Sequence, residues 1–206
     1  MIRTPSGCAV KRLTLDGVSD NSLSMCITSP IAVALLVLVS VISTATAEAP
    51  AKFKVGELTF ARPADWEWVE STSMMRKAQL KLTSADKQQT GEVVFFHFGE
   101  GGGGGTQANI DRWLGQFEEP KEKLQSKVES VTVNQRKISY VQAQGTYLSG
   151  MPGGPKKAQP NTMLLGAIID SDGGNVFIKL TAPMDLAKPA QATFRKMVEG
   201  SLAGAK

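Results

Sequence analysis

Apolar and polar positions alternate through much of this chain, and a period of two is typical of half-buried β-strands. Arg76–Thr83 is the clearest case, because Ala78, Leu80 and Leu82 share one face and polar residues alternate with them. Segment 91–98 is apolar on both faces, which predicts a central strand covered on both sides. These patterns predict a flexible lead at 48–53 and then strands at 55–60, 66–69, 76–83, 91–98, 128–133, 137–147, 163–170 and 175–181.

Two segments follow helical spacing instead. Apolar residues recur at this spacing over 106–117, with Thr106 predicted as the N-cap. The last segment, 184–202, is predicted to be an amphipathic terminal helix. Turn residues at 134–135 and 171–174 predict two hairpins. Antiparallel strands with two helices at separate chain positions predict an α+β fold, a mainly antiparallel β-sheet flanked by helices.

The apolar run at 31–42 follows neither period, and small residues come after it. About a dozen apolar residues are too few to cross a bilayer as a helix, but they suit the core of a secretory signal. Ala45 and Ala47 supply the two small residues that signal peptidase requires, so cleavage is expected directly after Ala47. The sequence predicts a signal peptide over 1–47 and a single α+β domain over 48–206, exported to a periplasm or out of the cell.

The start of this signal is open to two interpretations. The segment before the apolar run is long and contains Asp16 and Asp20, so translation starts either at Met1 with a long lead or at Met25. An uncleaved amino-terminal anchor is the alternative to cleavage. After cleavage we expect no stable membrane span. The two aspartates also speak against an organellar transit peptide.

Composition narrows the chemistry of the predicted domain. Both cysteines, Cys8 and Cys26, belong to the signal, so the domain has no thiol, no disulfide and no cysteine ligand for a metal. A single histidine in the whole chain also argues against a zinc site. The net charge of +4 is spread along the chain without a dense Lys/Arg cluster, so nucleic acid is not an expected partner. No metal and no cofactor are expected, and the oligomeric state stays open.

The glycine-rich segment 99–105, between the central strand and the first helix, is the main candidate for binding. Such a turn can form an anion site from free backbone amides and the helix dipole. A nucleotide-binding loop needs Lys followed by Ser or Thr after its last glycine, but Thr106-Gln107 stands there, and Glu100 adds negative charge. The segment is therefore either a mobile connection or a loop for a ligand or partner. On the second interpretation the contact residues are Gly101, Gly103, Gly105, Thr106, Asn109 and Arg112.

His97 is the only histidine, so a catalytic triad would have to centre on it. It lies between Phe96 and Phe98 in a strand that is apolar on both faces, which favours a core histidine over a general base. Asp170 and Asp172 are explained as turn formers, and no carboxylate pair stands out. No catalytic residue is assigned, and a protein without enzymatic activity is favoured. The alternative is an exported hydrolase with a site near the glycine-rich segment.

The segment Leu58-Thr-Phe60-Ala-Arg-Pro63-Ala-Asp-Trp66 resembles the opening of the PsbP-like proteins, the extrinsic subunits of photosystem II and their bacterial relatives. The order of the predicted elements also fits that family. The resemblance implies a sheet with helices on both faces, an α/β/α sandwich, and a non-enzymatic accessory role. It carries over no metal-binding or partner-binding residue. The function expected from it is that of an exported accessory or binding domain, which acts on an unknown envelope protein or a small ligand.

Overall fold

Nine strands and two helices make up residues 49–150 and 153–203, the part of the chain that the computed structural model describes. In chain order they are β1 (Lys52–Val55), β2 (Leu58–Ala61), β3 (Glu67–Trp68), β4 (Arg76–Thr83), β5 (Thr90–His97), α1 (Thr106–Leu114), β6 (Gln125–Val133), β7 (Arg136–Ser149), β8 (Lys157–Ile169), β9 (Val176–Pro183) and α2 (Met184–Gly200). Seven strands form one antiparallel sheet in the order β3-β4-β5-β9-β8-β7-β6, and β1 pairs with β2 separately. The predicted α+β class with a mainly antiparallel sheet is confirmed.

The central strands are apolar on both faces, so each face of the sheet needs a cover. On one face, which we call the hairpin face, Ile178 of β9 belongs to the same core as Phe60 of β2 and Phe194 of α2. On the other, the α1 face, Phe177 belongs to the same core as Ile110 and Trp113 of α1. Burying both faces removes most of the apolar strand surface from water. The predicted arrangement, a sheet with a helix on each face, is confirmed.

Close contact with β8 fixes the position of α1. A Cβ atom at Gly166 of β8 would lie 2.4 Å from the ring of Trp113, so the indole rests directly on the strand backbone. Only glycine permits this approach. Trp113 is buried at this contact.

The amino-terminal prediction is wrong in detail. Residues 48–53 were expected to be a flexible lead and 55–60 one strand, whereas the structure forms a hairpin from Lys52–Val55 and Leu58–Ala61. Gly56 turns the chain with a φ of +60°, which glycine adopts readily. Apolar residues lie at 53, 55, 58 and 60, so the period of two shifts by one residue across the turn, and the prediction did not use this shift.

The start of α1 also differs from the prediction. Thr106 is the first helical residue, Gly105 is the N-cap, and no side chain caps the helix. The predicted N-cap is therefore wrong. The helix ends at Leu114, and Phe117 forms an isolated β-bridge with Tyr147 that takes the chain back to the sheet.

Other boundaries shift less. The connection between the strands expected at 137–147 and 163–170 is shorter than predicted, because β8 begins at Lys157 and pairs with the end of β7. The strand expected at 66–69 is reduced to β3. The hairpin turn predicted at 134–135 is confirmed, and Asn134 and Gln135 take φ values of 47° and 65° there.

No helix within 49–150 or 153–203 is long and apolar enough to cross a bilayer. The predictions made for 1–47 lie outside the described residues. They include the signal peptide, the alternative start at Met25, and the placement of Cys8 and Cys26 in the signal.

Candidate functional site

An open groove of about 830 Å³ lies beside α1 on the α1 face of the sheet. It forms because α1 packs over β8 and against β7, whereas the neighbouring strip of β4, β5 and β9 faces open space. The opposite wall is segment 69–76, which connects β3 to β4. The side chains that line this site, which we call the α1 groove, include Met75, Phe96, Phe98, Arg112, Phe177 and Lys179.

Aromatic rings supply much of the apolar surface of the α1 groove. Phe96 and Phe98 stack with ring centroids 6.2 Å apart, and the centroids of Phe98 and Phe177 are 6.0 Å apart. Phe98 is 43% exposed, and Met75 on segment 69–76 is 60% exposed. Large apolar side chains that stay exposed together beside a concave surface are typical of binding sites.

Lys179 lies on the floor of this groove, in the middle of β9. Its Nζ donates hydrogen bonds to Oε1 of Gln116 and to the hydroxyl of Tyr147, both at 3.1 Å. The Tyr147 hydroxyl in turn donates to the same Gln116 oxygen at 3.0 Å, so the three groups form a closed triangle. The ammonium also lies 5.6 Å from the centroid of the Tyr147 ring. The triangle holds the ammonium in one position.

Both polar partners of Lys179 are neutral, and within the described residues it forms no ion pair. A half-buried cation without a carboxylate within ion-pair distance loses hydration that two neutral hydrogen bonds do not fully replace. Burial accordingly lowers the pKa of Lys179 to about 8. Burial also raises the pKa of Tyr147 to about 12, so this hydroxyl stays protonated and does not supply the missing negative charge.

Most of the other charged side chains along the groove have a polar partner within the protein. Arg76 donates to Glu92 at 3.2 Å, and Glu70 accepts a hydrogen bond from the indole of Trp68 at 2.7 Å. Arg112 is exposed on the α1 wall, and its polar contact is with a neutral oxygen, Oδ1 of Asn109, at 2.8 Å. Positive charge therefore exceeds negative charge in the α1 groove.

Asn109 joins the groove to the glycine-rich segment. It is only 4% exposed, and its Nδ2 donates to the carbonyl oxygens of Gly103 at 2.8 Å and Gly105 at 3.0 Å. Gly103 is packed beneath Phe98 and Phe177, where a Cβ atom would lie 2.7 Å from either ring. The side chain of Asn109 thus fixes the segment through its backbone, and Asn109 itself positions Arg112.

The six predicted contact residues do not form one site. Asn109 and Arg112 line the α1 groove, whereas Gly103 packs inside the segment. Gly105 and Thr106 line a separate polar depression. Its walls include carboxylates at Asp170 and Asp172. Gly101 lies in an adjoining depression that again contains Asp172.

His97 faces away from this region. Its side chain lies on the same side of β5 as Phe95, which is the hairpin face. The imidazole ring packs on Gly56, where a Cβ atom would lie 3.0 Å from Cε1 of His97. Its Nδ1 is 3.4 Å from the carbonyl oxygen of Asn175, and the side chain is half-buried. The structure therefore places His97 and Arg112 on opposite faces of the sheet.

A second cavity, of about 470 Å³, lies between α2 and strands β6 to β8. Its guanidinium, Arg195, is paired with Glu129 at 2.5 Å and with Glu199 at 2.9 Å, and it covers the ring of Tyr140. The charge of this half-exposed guanidinium is already balanced by two carboxylates of the protein. The α1 groove is therefore the better candidate for a ligand.

Sequence reasoning missed Lys179, the residue that distinguishes the α1 groove. A signal for it was present, because one lysine interrupts the otherwise uncharged run Val176-Phe-Ile-Lys-Leu-Thr-Ala182. In a strand covered on both faces, a charge in such a run must either be paired or serve a function. Met75 gave no comparable signal, since its exposure depends on the path of segment 69–76.

One solved structure that resembles this chain is the solution structure of cyanobacterial PsbP (CyanoP) from Synechocystis sp. PCC 6803. The two are 10% identical, the match covers 78% of this chain and 96% of that chain, and the TM-score is 0.45. The weak PsbP-like resemblance inferred from residues 58–66 is thus found again in the structure comparison. No protein-family model and no curated protein matches the sequence.

Proposed function

We propose that this protein is an exported, non-catalytic accessory domain that binds a small ligand or a segment of an envelope protein in the α1 groove. The observation that carries the proposal is Lys179, a cation held by neutral partners on the floor of an open apolar groove. Such an arrangement costs stability, and a bound group that supplies negative charge offsets that cost.

The surface of the groove supports this proposal. Met75 and Phe98 expose large apolar side chains beside a concavity whose volume is within the range common for ligand sites. Water around such side chains is released when a ligand or partner covers them, which makes association favourable.

A hydrolase, the alternative, receives less support from the geometry. A general base must lie within hydrogen-bond reach of the group that it deprotonates. His97 packs on Gly56 on the hairpin face, whereas Arg112 and the groove lie on the other face. A site that combined His97 with Arg112 would have to pass through the sheet.

Capture from the envelope fraction tests the proposal. The unmodified protein is immobilised, and retained proteins and small molecules are identified by mass spectrometry. We expect Met75→Glu to abolish retention, because it places a carboxylate in the groove, where the apolar part of the ligand binds. Met74→Glu is the matched control, since Met74 is 94% exposed and does not line the groove.

Retention that both glutamate variants preserve equally would contradict a role for the α1 groove. Failure of the unmodified protein to retain any partner or ligand under several conditions would count against a binding domain altogether.

A further inference from the structure

We infer that the ligand of the α1 groove is a small amphipathic carboxylate, whose carboxylate binds the Lys179 ammonium and whose apolar body lies against Phe96, Phe98 and Phe177. This inference rests on the proposed function, since it assumes that the groove is the binding site.

The charged side chains along the groove indicate the sign of the ligand's charge. Of the cations along the groove, Arg76 has its carboxylate partner in Glu92. Lys179 and Arg112 hydrogen-bond to neutral oxygens and have no carboxylate partner in the described part of the chain. One carboxylate along the groove, Glu70, likewise contacts only a neutral group, the indole of Trp68. Two cations without a carboxylate partner thus face one such anion, and this excess of positive charge favours a ligand that brings one negative charge.

The donors of Lys179 favour a carboxylate. An ammonium has three N–H groups, and two of them are used by Gln116 and Tyr147. One donor remains for a ligand, and a charge-assisted bond from it to a carboxylate oxygen is about twice as strong as a neutral hydrogen bond. A phosphate is matched best by several converging donors, and it would find only one at the floor and would need Arg112 on the α1 wall for the others.

The apolar side chains that line the groove indicate the chemical character of the rest of the ligand. Phe96 and Phe98 form the exposed part of an aromatic cluster next to Lys179, and the buried ring of Phe177 completes the cluster, with neighbouring centroids 6.2 and 6.0 Å apart. Met75 faces it from segment 69–76 as a side chain that adapts to different shapes. An aryl or alkyl body fits this surface, whereas a sugar or a polar peptide would leave hydroxyl or amide groups without partners.

The test compares two probes that share one body, 4-butylbenzoate and its neutral isostere 4-butylbenzamide. Binding of each to the purified protein is measured by isothermal titration calorimetry. We expect the benzoate to bind at least about tenfold more tightly, which is the effect of one charge-assisted hydrogen bond in a partly buried site. Lys179→Met and Lys179→Gln are each expected to remove this preference by weakening benzoate binding alone. The matched control is Lys54→Met, on the exposed side of β1, which should keep it.

The outcomes separate this inference from the proposed function. Equal affinity of the unmodified protein for the two probes would overturn the inference that the ligand carries a carboxylate. The groove would remain a binding site. This measurement does not depend on whether any variant folds. If neither probe binds while capture still depends on Met75, the ligand class is wrong and the proposed function stands. If neither probe binds and capture does not depend on Met75, both fail. Circular dichroism checks that the lysine variants are folded.

Discussion

At the level of single residues, Lys179 connects the stability of this protein to its proposed function. Its neighbours in β9, Ile178 and Leu180, are buried on the hairpin face, so the strand is anchored and the lysine cannot turn away to solvent. Gln116 and Tyr147 hold its ammonium at the floor of the groove. At neutral pH, placing this charge costs stability, and a ligand that neutralises it offsets that cost.

The pH dependence of stability follows from this position. Because burial lowers the pKa of Lys179 to about 8, the folded state disfavours the ammonium, and the penalty is fully present below pH 8. The penalty disappears as the pH rises from about 8 toward the unfolded value of 10.5. We therefore expect the free energy of unfolding of the unmodified protein, relative to Lys179→Met, to increase by about 1 to 2 kcal/mol between pH 7 and pH 9.5.

Urea denaturation at the two pH values measures this difference. Lys54→Met is the matched control, because Lys54 is exposed and its removal should leave the pH dependence parallel to that of the unmodified protein. A constant difference between the unmodified protein and Lys179→Met would show that the lysine is solvated in the folded state.

Gly103 is a second residue whose environment allows a sharp prediction. Its φ is +80°, and a Cβ atom would lie 2.7 Å from the rings of Phe98 and Phe177. Gly103→Ala combines a left-handed backbone with overpacking, so we expect it to lower the free energy of unfolding by about 2 to 4 kcal/mol in denaturant titrations. Gly173→Ala is the control, since open space surrounds that position. Equal stability of the two variants would mean that the glycine-rich segment is not packed against the rings.

At the level of elements, the sequence predicted what local periodicity determines. The strand at 76–83 was predicted with its actual bounds and inward face, because alternation and burial agree there. The β1–β2 hairpin was missed because the shift of the apolar period by one residue at Gly56-Glu57, from 53 and 55 to 58 and 60, was not taken as a turn. The α1 groove was not predictable, since it depends on where α1 lies over the sheet. That position is set by the contact of Trp113 with Gly166, which are far apart in the chain.

Asn109 shows how one helical residue organises a neighbouring segment. Its Nδ2 satisfies the carbonyl oxygens of Gly103 and Gly105, so the segment depends on a side chain of α1. Asn109→Ala leaves these oxygens without that donor, and we expect a loss of about 1 to 3 kcal/mol in the free energy of unfolding. We also expect faster hydrogen exchange at the amide of Gly102, which donates to Gly99 at 3.1 Å.

Gln107→Ala is the matched control for this variant, because Gln107 is exposed on the same helix. Its stability and the exchange of Gly102 should stay close to those of the unmodified protein. Exchange at Gly102 that is equally slow in both variants would mean that the segment is ordered without Asn109.

At the level of the whole molecule, the two faces of the sheet differ in what covers them. On the hairpin face, the core joins β1, β2 and α2 to the sheet continuously. On the α1 face, a nine-residue helix leaves the strip formed by β4, β5 and β9 open. The predicted site at the glycine-rich segment and the α1 groove share Asn109 and Arg112. The sequence did not indicate the groove itself.

Export is the prediction that concerns the chain as a whole. Release of the predicted domain from the membrane requires removal of the apolar run at 31–42, and the small residues at Ala45 and Ala47 fit the cleavage that would remove it. We expect intact-mass and amino-terminal analysis of the exported protein to give a chain that begins at Glu48. Ala47→Phe should accumulate the precursor, since a bulky ring does not fit the peptidase pocket, whereas Ala51→Phe, beyond the cleavage site, should be processed normally. An exported chain that begins before Ala45 would show that the run is retained as an anchor.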